Sequence, residues 1–474
     1  MSFCSCFSKT GSRITPDALE TELPVGHVRG IDRLCYAQCA GGNPMTIVVV
    51  AFMDTMPEYG EVVEGLQRLV RRHWRLRAVI RDGHWCPCAF NAEKQLVYQT
   101  LPLTGTIEDY VSYEANRTFD MTENLWEWQF VKGASKGYGM ETKVCIVIRF
   151  HHCLGDGLSL VHLVQTFSPR PVEDGKAAHL SCLRRTHRPC RWLWILTWFF
   201  WGPWVMLTIL LMRADRDHGL RQGCKAEDGH QDGGCCRRYC CCCCCCCSRR
   251  RPRVQKRCIW SQNYPLEELR AIGLLVGTTS VTAVAIALVS GALRDYLFSR
   301  GNAKPTNIKA IIPFSFRSST ETEMMNEMSL LFFKLPVGMD DDMARLRKSV
   351  SNMDTMKRGP HALVAYVLLK LGLAILPVQW LLRLQDYFAS KCTLVFSSVP
   401  GPADGMFIGG SLLTSTHGFP PPVGDLPMCL SMFSSQGKIS FGLLVDGNLP
   451  EPEQLFVHYE SRLAKLKGRL NILD

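Results

Sequence analysis

The chain has 474 residues, of which 47% are hydrophobic and 20% charged, so it is long and apolar enough to bury the cores of two domains of ordinary size. Its formal net charge of +11 comes from one region, since residues 184–257 contain 16 Lys and Arg against 5 Asp and Glu and the rest of the chain is balanced. This distribution argues against a general nucleic-acid-binding surface and predicts one localised basic region.

The first informative pattern spans residues 144–167. Residues 144–150 alternate with the period of two that is typical of a half-buried strand, and apolar residues recur at helical spacing from 158 to 167. Between them, His151 to Gly157 contain two histidines and two glycines, and they predict a tight turn. A histidine on a turn between rigid elements is well placed to act as a general base.

The run His-His-x-x-x-Asp-Gly at 151–157 resembles the active-site motif of the wax ester synthase/diacylglycerol acyltransferase family, part of the CoA-dependent acyltransferases that share His-x-x-x-Asp-Gly. Other stretches resemble that family in the right order along nearly the whole chain: Ile31-Asp32-Arg33, Asn43-Pro44-Met45, Phe119-Asp120, Asn124-Leu125-Trp126, Gly291–Arg294, Ile312–Arg317, Leu335–Gly338, Ser398–Pro402 and Phe441–Leu443. The resemblance implies an α/β fold of two chloramphenicol-acetyltransferase-like lobes, each a mixed sheet with covering helices. The active histidine would lie in a tunnel between the lobes.

The same resemblance assigns roles within the motif. It implies that His152 is the general base and that His151 is structural or orienting. Asp156 would form an ion pair that holds the loop, with Arg317 as the candidate partner; a helix N-cap is its other possible role, and both can hold at once. Gly157 would let the backbone approach acyl-CoA closely. Because adjacent histidines diverge on a strand, we predict no metal site here.

The sequence departs from the family where an Asn-Asp pair usually precedes an apolar helix, because Thr282-Ala283 stand there instead. If the missing pair supports the histidine loop, activity would be weakened. Ser398 is a candidate donor for the oxyanion, and Thr282 a candidate supporting residue.

The resemblance implies an acyl-CoA-dependent O-acyltransferase with acyl-CoA as co-substrate and no bound cofactor. The acceptor would be a lipid alcohol: a long-chain alcohol, giving wax ester, or diacylglycerol, giving triacylglycerol. Two alternatives stay open. One is a catalytically weak acyl-CoA- or lipid-binding membrane protein, which the Thr282-Ala283 departure motivates; the other is an enzyme with a smaller alcohol or amine as acceptor.

Residues 192–212 carry no charge and include five tryptophans. A helix of that length would run about 30 Å, enough to cross a bilayer core. Because the family motifs lie on both sides of this segment and arginines flank both its ends, we predict a re-entrant or interfacial hairpin that breaks near Gly202-Pro203. It would lie on the cytoplasmic face of the endoplasmic reticulum or plasma membrane; a buried hairpin is the alternative. A second apolar stretch, residues 362–382, predicts a kinked helix, and we favour a core position over contact with lipid or an acyl tunnel.

Ten of the 24 cysteines lie at 235–236 and in the unbroken run 240–247, which indicates a reducing setting. Reversible palmitoylation, binding of soft metals and a low-complexity insert are the three interpretations of the run, and Cys4 and Cys6 are weaker acylation candidates. We divide the chain into an N-terminal lobe (1–183), a hydrophobic membrane-associated segment (184–216), a basic Cys-rich flexible linker (217–258) and a C-terminal lobe (259–474). In the last, the patterns predict helices at 265–275, 281–298 and 340–356, strands at 307–316, 327–335, 391–397 and 438–445, and a Gly/Pro-rich loop region between the last two strands.

Overall fold

The structure is a computed structural model of the chain. It describes residues 26–40, 42–102, 105–133, 144–167, 203–204, 206–216, 218–220, 254–317, 322–358 and 361–472. The cysteine run, Cys4, Cys6 and most of the predicted hydrophobic hairpin lie outside the described residues.

The helices are α1 (Gly30–Ala40), α2 (Tyr59–Arg72), α3 (Ala92–Gln95), α4 (Ile107–Asn116), α5 (Gly157–Phe167), α6 (206–210), α7 (Leu266–Leu275), α8 (Val281–Ser299), α9 (Asp342–Arg358), α10 (His361–Ile375), α11 (Val378–Lys391) and α12 (Gln454–Arg469). The strands are β1 (Gly26–His27), β2 (Thr46–Met53), β3 (Ala78–Arg81), β4 (His84–Pro87), β5 (Leu96–Thr100), β6 (Trp126–Lys132), β7 (Val144–His151), β8 (Lys256–Trp260), β9 (Tyr264–Pro265), β10 (Ile308–Ser315), β11 (Met328–Leu335), β12 (Leu394–Pro400), β13 (Phe407–Ile408), β14 (Ser411–Phe419), β15 (Met428–Ser435) and β16 (Lys438–Asp446).

Two mixed sheets form the two lobes. In the described part of the chain, the first lobe has the order β13-β14-β2-β7-β6-β5, and the second has the order β11-β10-β12-β15-β16-β8, with β9 paired to β16. Both sheets combine parallel and antiparallel neighbours: β5 runs parallel to β6, and β12 runs parallel to β10 and β15. The predicted class, a two-lobed mixed α/β fold, is confirmed.

The second half of the chain also completes the first lobe. Strand β14 pairs antiparallel with β2, with Phe419 opposite Val48. The predicted loop region between 397 and 438 is therefore wrong, since β13, β14 and β15 all lie in it. Most glycines and prolines of this region stand between the strands, and the partner of β14 lies far away in the sequence. Strand β8 also takes up the last three residues of the predicted linker.

The strand that carries the histidines is more buried than its alternation predicts. All eight residues of β7 are buried, so it is a central strand and not a half-buried one. One face packs in the core of the first lobe. The other, with Cys145 and Val147, joins an apolar cluster that also contains residues of the second lobe's sheet, such as Trp260 and Val395. This cluster holds the lobes together beneath the histidine motif.

Helix α8 lies in the core of the second lobe. The Ser280 hydroxyl caps its first turn by accepting from the Ala283 backbone N–H, and its buried side chains belong to the core cluster of that lobe. Among the described residues it is the one helix long and apolar enough to cross a membrane, and 72% of its most apolar window is buried; the bent pair α9–α10 would count as a second if joined.

The stretch at 362–382 is not the predicted core helix. It forms α10 and α11, which are separated at Leu376-Pro377. Of the side chains of α10, those of Ala362 and Val364 are buried, whereas the others are partly or fully exposed. The core interpretation therefore holds only for the start of α10, because the helix packs beside β11 there and leaves side chains near its C-terminal end exposed.

Candidate active site

The backbone of His152 is fixed from both lobes. Its N–H donates to the Met45 carbonyl at 2.8 Å, and its carbonyl accepts from the Asn326 side-chain amide at 2.6 Å. The imidazole is half-buried, and its Nδ1 is buried without a hydrogen-bond partner among the described residues. Because a buried nitrogen without a hydrogen bond costs free energy, we expect a water molecule or a substrate hydroxyl as its partner.

The neighbouring His151 is fully buried, as the last residue of β7. Its Nδ1 accepts from the Cys153 backbone N–H at 3.2 Å and lies 2.9 Å from the Cys153 Sγ. Burial, with a smaller contribution from His152, lowers the pKa of His151 to about 3. The ring is therefore neutral at physiological pH and bonded within its own turn, which fits the orienting role predicted for it.

Asp156 and Arg317 form a buried ion pair between the lobes. The Arg317 Nη1 lies 3.1 Å from the Asp156 Oδ1, so the partner named from the sequence is the one observed. The same oxygen accepts from the Ser159 backbone N–H at 2.9 Å, and the Ser159 hydroxyl bonds both partners. Asp156 therefore caps α5 and anchors the loop to the second lobe, so that both of its predicted roles occur together.

The two glycines of the motif allow close packing. A Cβ on Gly155 would lie 2.7 Å from the Ser159 Cβ, and a Cβ on Gly157 would lie 3.1 Å from the Val399 Cγ2. Gly157 thus brings α5 against the end of β12; its approach to acyl-CoA stays a prediction.

A second polar network, which the sequence did not predict, binds the backbone of the loop after β7. The Asn326 amide donates to His152 and also to the Asp32 Oδ1 at 2.8 Å. Asp32 in turn pairs with Arg75, whose Nη2 lies 2.8 Å away. The Arg75 Nη1 donates to the carbonyls of residues 153 and 154 at 2.8 and 3.3 Å. Three successive carbonyls after β7 are thus bound by side chains.

Only one member of this network had a signal in the sequence. Asp32 belongs to the Ile31-Asp32-Arg33 stretch, which resembles the N-terminal motif of the family, although the sequence predicts no role for it. Nothing in the local patterns around Arg75 and Asn326 distinguishes them from surface residues. Asn326 reaches the loop because the lobes pack together, and Arg75 because the first lobe folds back on itself.

Thr282 and Ser398 lie together. The Thr282 Oγ1, in the first turn of α8, is 3.3 Å from the Ser398 Oγ on β12. Val399, the next residue after Ser398, is the one that contacts Gly157. The structure therefore brings the end of β12 to the start of α5 and bonds Ser398 to the residue that replaces the family's Asn.

No group of three or more His, Cys, Asp or Glu side chains in the described ranges is arranged to hold a metal ion. The polar groups of this region instead form hydrogen bonds and ion pairs with one another.

Sequence comparisons find similarity to one family. Residues 324–467 match the family model described as the WS/DGAT C-terminal domain. The chain is 22% identical over 442 residues to wax ester synthase/diacylglycerol acyltransferase 2 of Arabidopsis thaliana, covering 83% of this chain and 86% of that protein. It is 24% identical over 390 residues to the probable diacylglycerol O-acyltransferase tgs2 of Mycobacterium tuberculosis, covering 78% and 80%.

Solved structures show the same fold. The wax ester synthase/diacylglycerol acyltransferase from Marinobacter aquaeolei VT8 superposes with a TM-score of 0.61 at 18% identity, over 94% of this chain and 100% of that one. The starter condensation domain of rhizomide synthetase RzmA, solved in complex with C8-CoA and Leu-SNAC, gives a TM-score of 0.54 at 11% identity over 94% of each chain. The two-lobed fold, the matched C-terminal domain and these relatives confirm the resemblance read from the motifs: the chain is similar to proteins of the wax ester synthase/diacylglycerol acyltransferase family along most of its length.

Proposed function

We propose that this protein is an acyl-CoA-dependent O-acyltransferase that esterifies a lipid alcohol. A long-chain alcohol would give wax ester, and diacylglycerol would give triacylglycerol; the names of its relatives carry both activities. The observation that carries the proposal is the placement of His152, a half-buried imidazole on a loop that side chains of both lobes hold rigidly.

In the proposed reaction, an imidazole nitrogen of His152 takes the proton of the acceptor hydroxyl while the hydroxyl oxygen attacks the thioester carbonyl of acyl-CoA. A tetrahedral oxyanion forms. Its collapse breaks the carbon–sulfur bond, and the departing CoA thiolate takes up the proton from the imidazolium. The chemistry uses no resident cofactor, and acyl-CoA enters as a substrate.

His151 and Asp156 would act through His152 and not on the substrate. A histidine whose pKa is about 3 does not exchange protons near neutral pH, and its bonds to Cys153 shape the turn. The Asp156 carboxylate is occupied by Arg317 and Ser159. Both residues therefore suit a positioning role.

Ser398 is our proposed donor to the oxyanion. Its hydroxyl lies at the end of β12, beside the strand residue that contacts Gly157, and Thr282 fixes its orientation. A preorganised hydroxyl aimed at developing negative charge lowers the barrier to acyl transfer. In this proposal Thr282 retains a hydroxyl at the position where the family usually has Asn.

We further propose that the protein works at the cytoplasmic face of a membrane, because both of its proposed substrates partition into lipid. The uncharged segment at 192–212 supports this location. The endoplasmic reticulum is the expected membrane, with the plasma membrane as the alternative.

The experiment is an acyl-transfer assay with the purified full chain. Labelled palmitoyl-CoA is mixed with hexadecanol or with a diacylglycerol, and labelled ester and free CoA are measured together. We expect ester and CoA to appear in equal amounts. Release of CoA without ester, or binding of palmitoyl-CoA with no turnover on either acceptor, would contradict the proposal. Binding without turnover would favour the alternative, a lipid-binding protein. The replacement of the family's Asn-Asp by Thr282-Ala283 motivates that alternative.

A further inference from the structure

Helix α10 is apolar, and side chains near its C-terminal end are exposed. Apart from His361 and Lys370, its side chains carry no charge, and yet Ala362 and Val364 are the ones the fold buries. At its end, the Ile375 side chain is 74% exposed. Soluble surfaces rarely expose a continuous apolar patch unless something binds it.

The next helix presents aromatic rings and cations on one face. Trp380, Arg383, Tyr387 and Lys391 of α11 follow the spacing of three and four that places side chains on one side of a helix. The Arg383 guanidinium lies over the Trp380 ring at 5.4 Å, and the Lys391 ammonium lies over the Tyr387 ring at 4.6 Å. Trp380 is 57% exposed. The alternation of rings and cations is that of side chains at the boundary between lipid and water.

Helix α6 extends the same surface. The Tyr387 hydroxyl donates to the Leu210 carbonyl at 2.6 Å, which joins α6 to α11. Met206, Leu207 and Leu211 of this segment are exposed as well. We call the exposed side chains of residues 206–211, 371–375 and 380–391 the docking face.

We infer that the docking face binds the surface of a bilayer that contains anionic phospholipids. The apolar side chains would enter the interfacial region, while Arg383 and Lys391 would meet lipid phosphates. Charge complementarity favours this occupant over a second copy of the chain, which would bring the same two cations together. Asp386 is an acidic group on α11, and burial and the nearby Asp425 raise its pKa.

Helix α10, whose C-terminal end belongs to the docking face, also contacts the segment just before β11. Tyr366 and Lys370 of α10 bond the Glu327 carboxylate, with Lys370 at 2.8 Å. Glu327 follows Asn326, whose amide holds the His152 carbonyl. Resting on the proposed function, this arrangement would place the bilayer near the loop that carries His152.

Vesicle binding tests the inference directly. The full chain is sedimented with phosphatidylcholine vesicles that contain or lack phosphatidylserine, in the absence of acyl-CoA. We expect wild type to bind the anionic vesicles more tightly, and Ile375→Ser/Trp380→Ser to reduce its partition coefficient by about tenfold or more. Arg383→Glu/Lys391→Glu should abolish the preference for phosphatidylserine, since each cation near the surface contributes about fivefold.

A matched control removes exposed apolar side chains elsewhere: Tyr113→Ser/Val457→Ser, on α4 and α12, should bind like wild type. Circular dichroism and acyl transfer on detergent-dispersed substrates report folding and activity separately, so failure of vesicle binding and failure of the proposed function give different results. Wild-type vesicle binding by Ile375→Ser/Trp380→Ser would overturn the inference. Two other results would also overturn the inference. One is a wild-type protein that binds neither kind of vesicle, and the other is a wild-type dimer in solution that Ile375→Ser/Trp380→Ser converts to monomers.

Discussion

The side-chain amide of Asn326, in the second lobe, donates a 2.6 Å hydrogen bond to the carbonyl of His152, in the first. The position of the proposed base therefore depends on how the two lobes pack. The apolar cluster between the sheets and the Asp156–Arg317 pair fix that packing from two further directions.

Removal of this hydrogen bond should slow catalysis without preventing substrate binding. We expect Asn326→Ala to lower kcat by about 10- to 100-fold, since a small displacement of a catalytic group has large effects on rate, with KM for acyl-CoA nearly unchanged. Steady-state kinetics measure both parameters. Asn352→Ala is the control, because that amide bonds the Lys334 carbonyl at an exposed position. An unchanged kcat for Asn326→Ala would show that the network has no positioning role.

The interlobe ion pair should be costly to break from one side. Arg317→Met leaves the Asp156 carboxylate buried without its charge partner, and we expect a loss of about 3–5 kcal/mol in the free energy of unfolding. Arg270→Met, which breaks the exposed pair with Glu267, should cost less than about 1 kcal/mol. Urea denaturation measures both. Adding Asp156→Asn to Arg317→Met should restore part of the lost free energy of unfolding. If the losses caused by the two substitutions simply add, the two groups do not stabilise each other.

The hydroxyl of Ser398 should matter for rate more than for binding. If it donates to the oxyanion, Ser398→Ala lowers kcat by about 100-fold, because the hydrogen bond forms only as negative charge develops. Thr282→Val, which removes the neighbouring hydroxyl at 3.3 Å but keeps the side chain's shape, should have a smaller effect. The comparison of kcat with the dissociation constant of acyl-CoA checks this. A Ser398→Ala variant with weaker acyl-CoA binding and unchanged kcat would identify Ser398 as a binding residue.

Acid stability should depend on His417, which is buried beside Trp260 and bonds to Ser415 and Phe441. Burial lowers its pKa to about 3, below the unfolded value of about 6.5. Below pH 6.5 the unfolded chain therefore binds one more proton at this site, and the free energy of unfolding falls by about 1.4 kcal/mol per pH unit as pH decreases.

His417→Gln should remove that contribution. We expect the slope of unfolding free energy against pH, measured by urea denaturation between about pH 6 and about pH 4, to decrease by about 1.4 kcal/mol per pH unit. An unchanged slope would mean that this imidazole is protonated in the folded state.

The sequence predicts the local elements well where one periodicity dominates. The helix predicted at 281–298 is α8, and the strand predicted at 307–316 is β10. Asp156 and Arg317 were paired from motifs far apart in the chain. By contrast, the sequence predicts loop where β14 lies, because glycines and prolines flank this strand and its partner, β2, is far away in the chain.

Burial was the harder property to predict. The alternation of β7 indicates one apolar face, but the second lobe covers the other as well. Helix α10 has the composition of a core helix and yet leaves side chains near its C-terminal end exposed. Asn326 and Arg75 acquire their roles only through tertiary packing, which no local pattern records.

The most direct test of the account is acyl transfer by His152→Ala, measured as labelled ester formed from palmitoyl-CoA and the preferred acceptor. We expect a rate at least about 100-fold below wild type, with normal folding and normal binding of acyl-CoA, since the variant lacks only the group that removes the acceptor's proton. Turnover equal to that of wild type would contradict the assignment of His152 as the base.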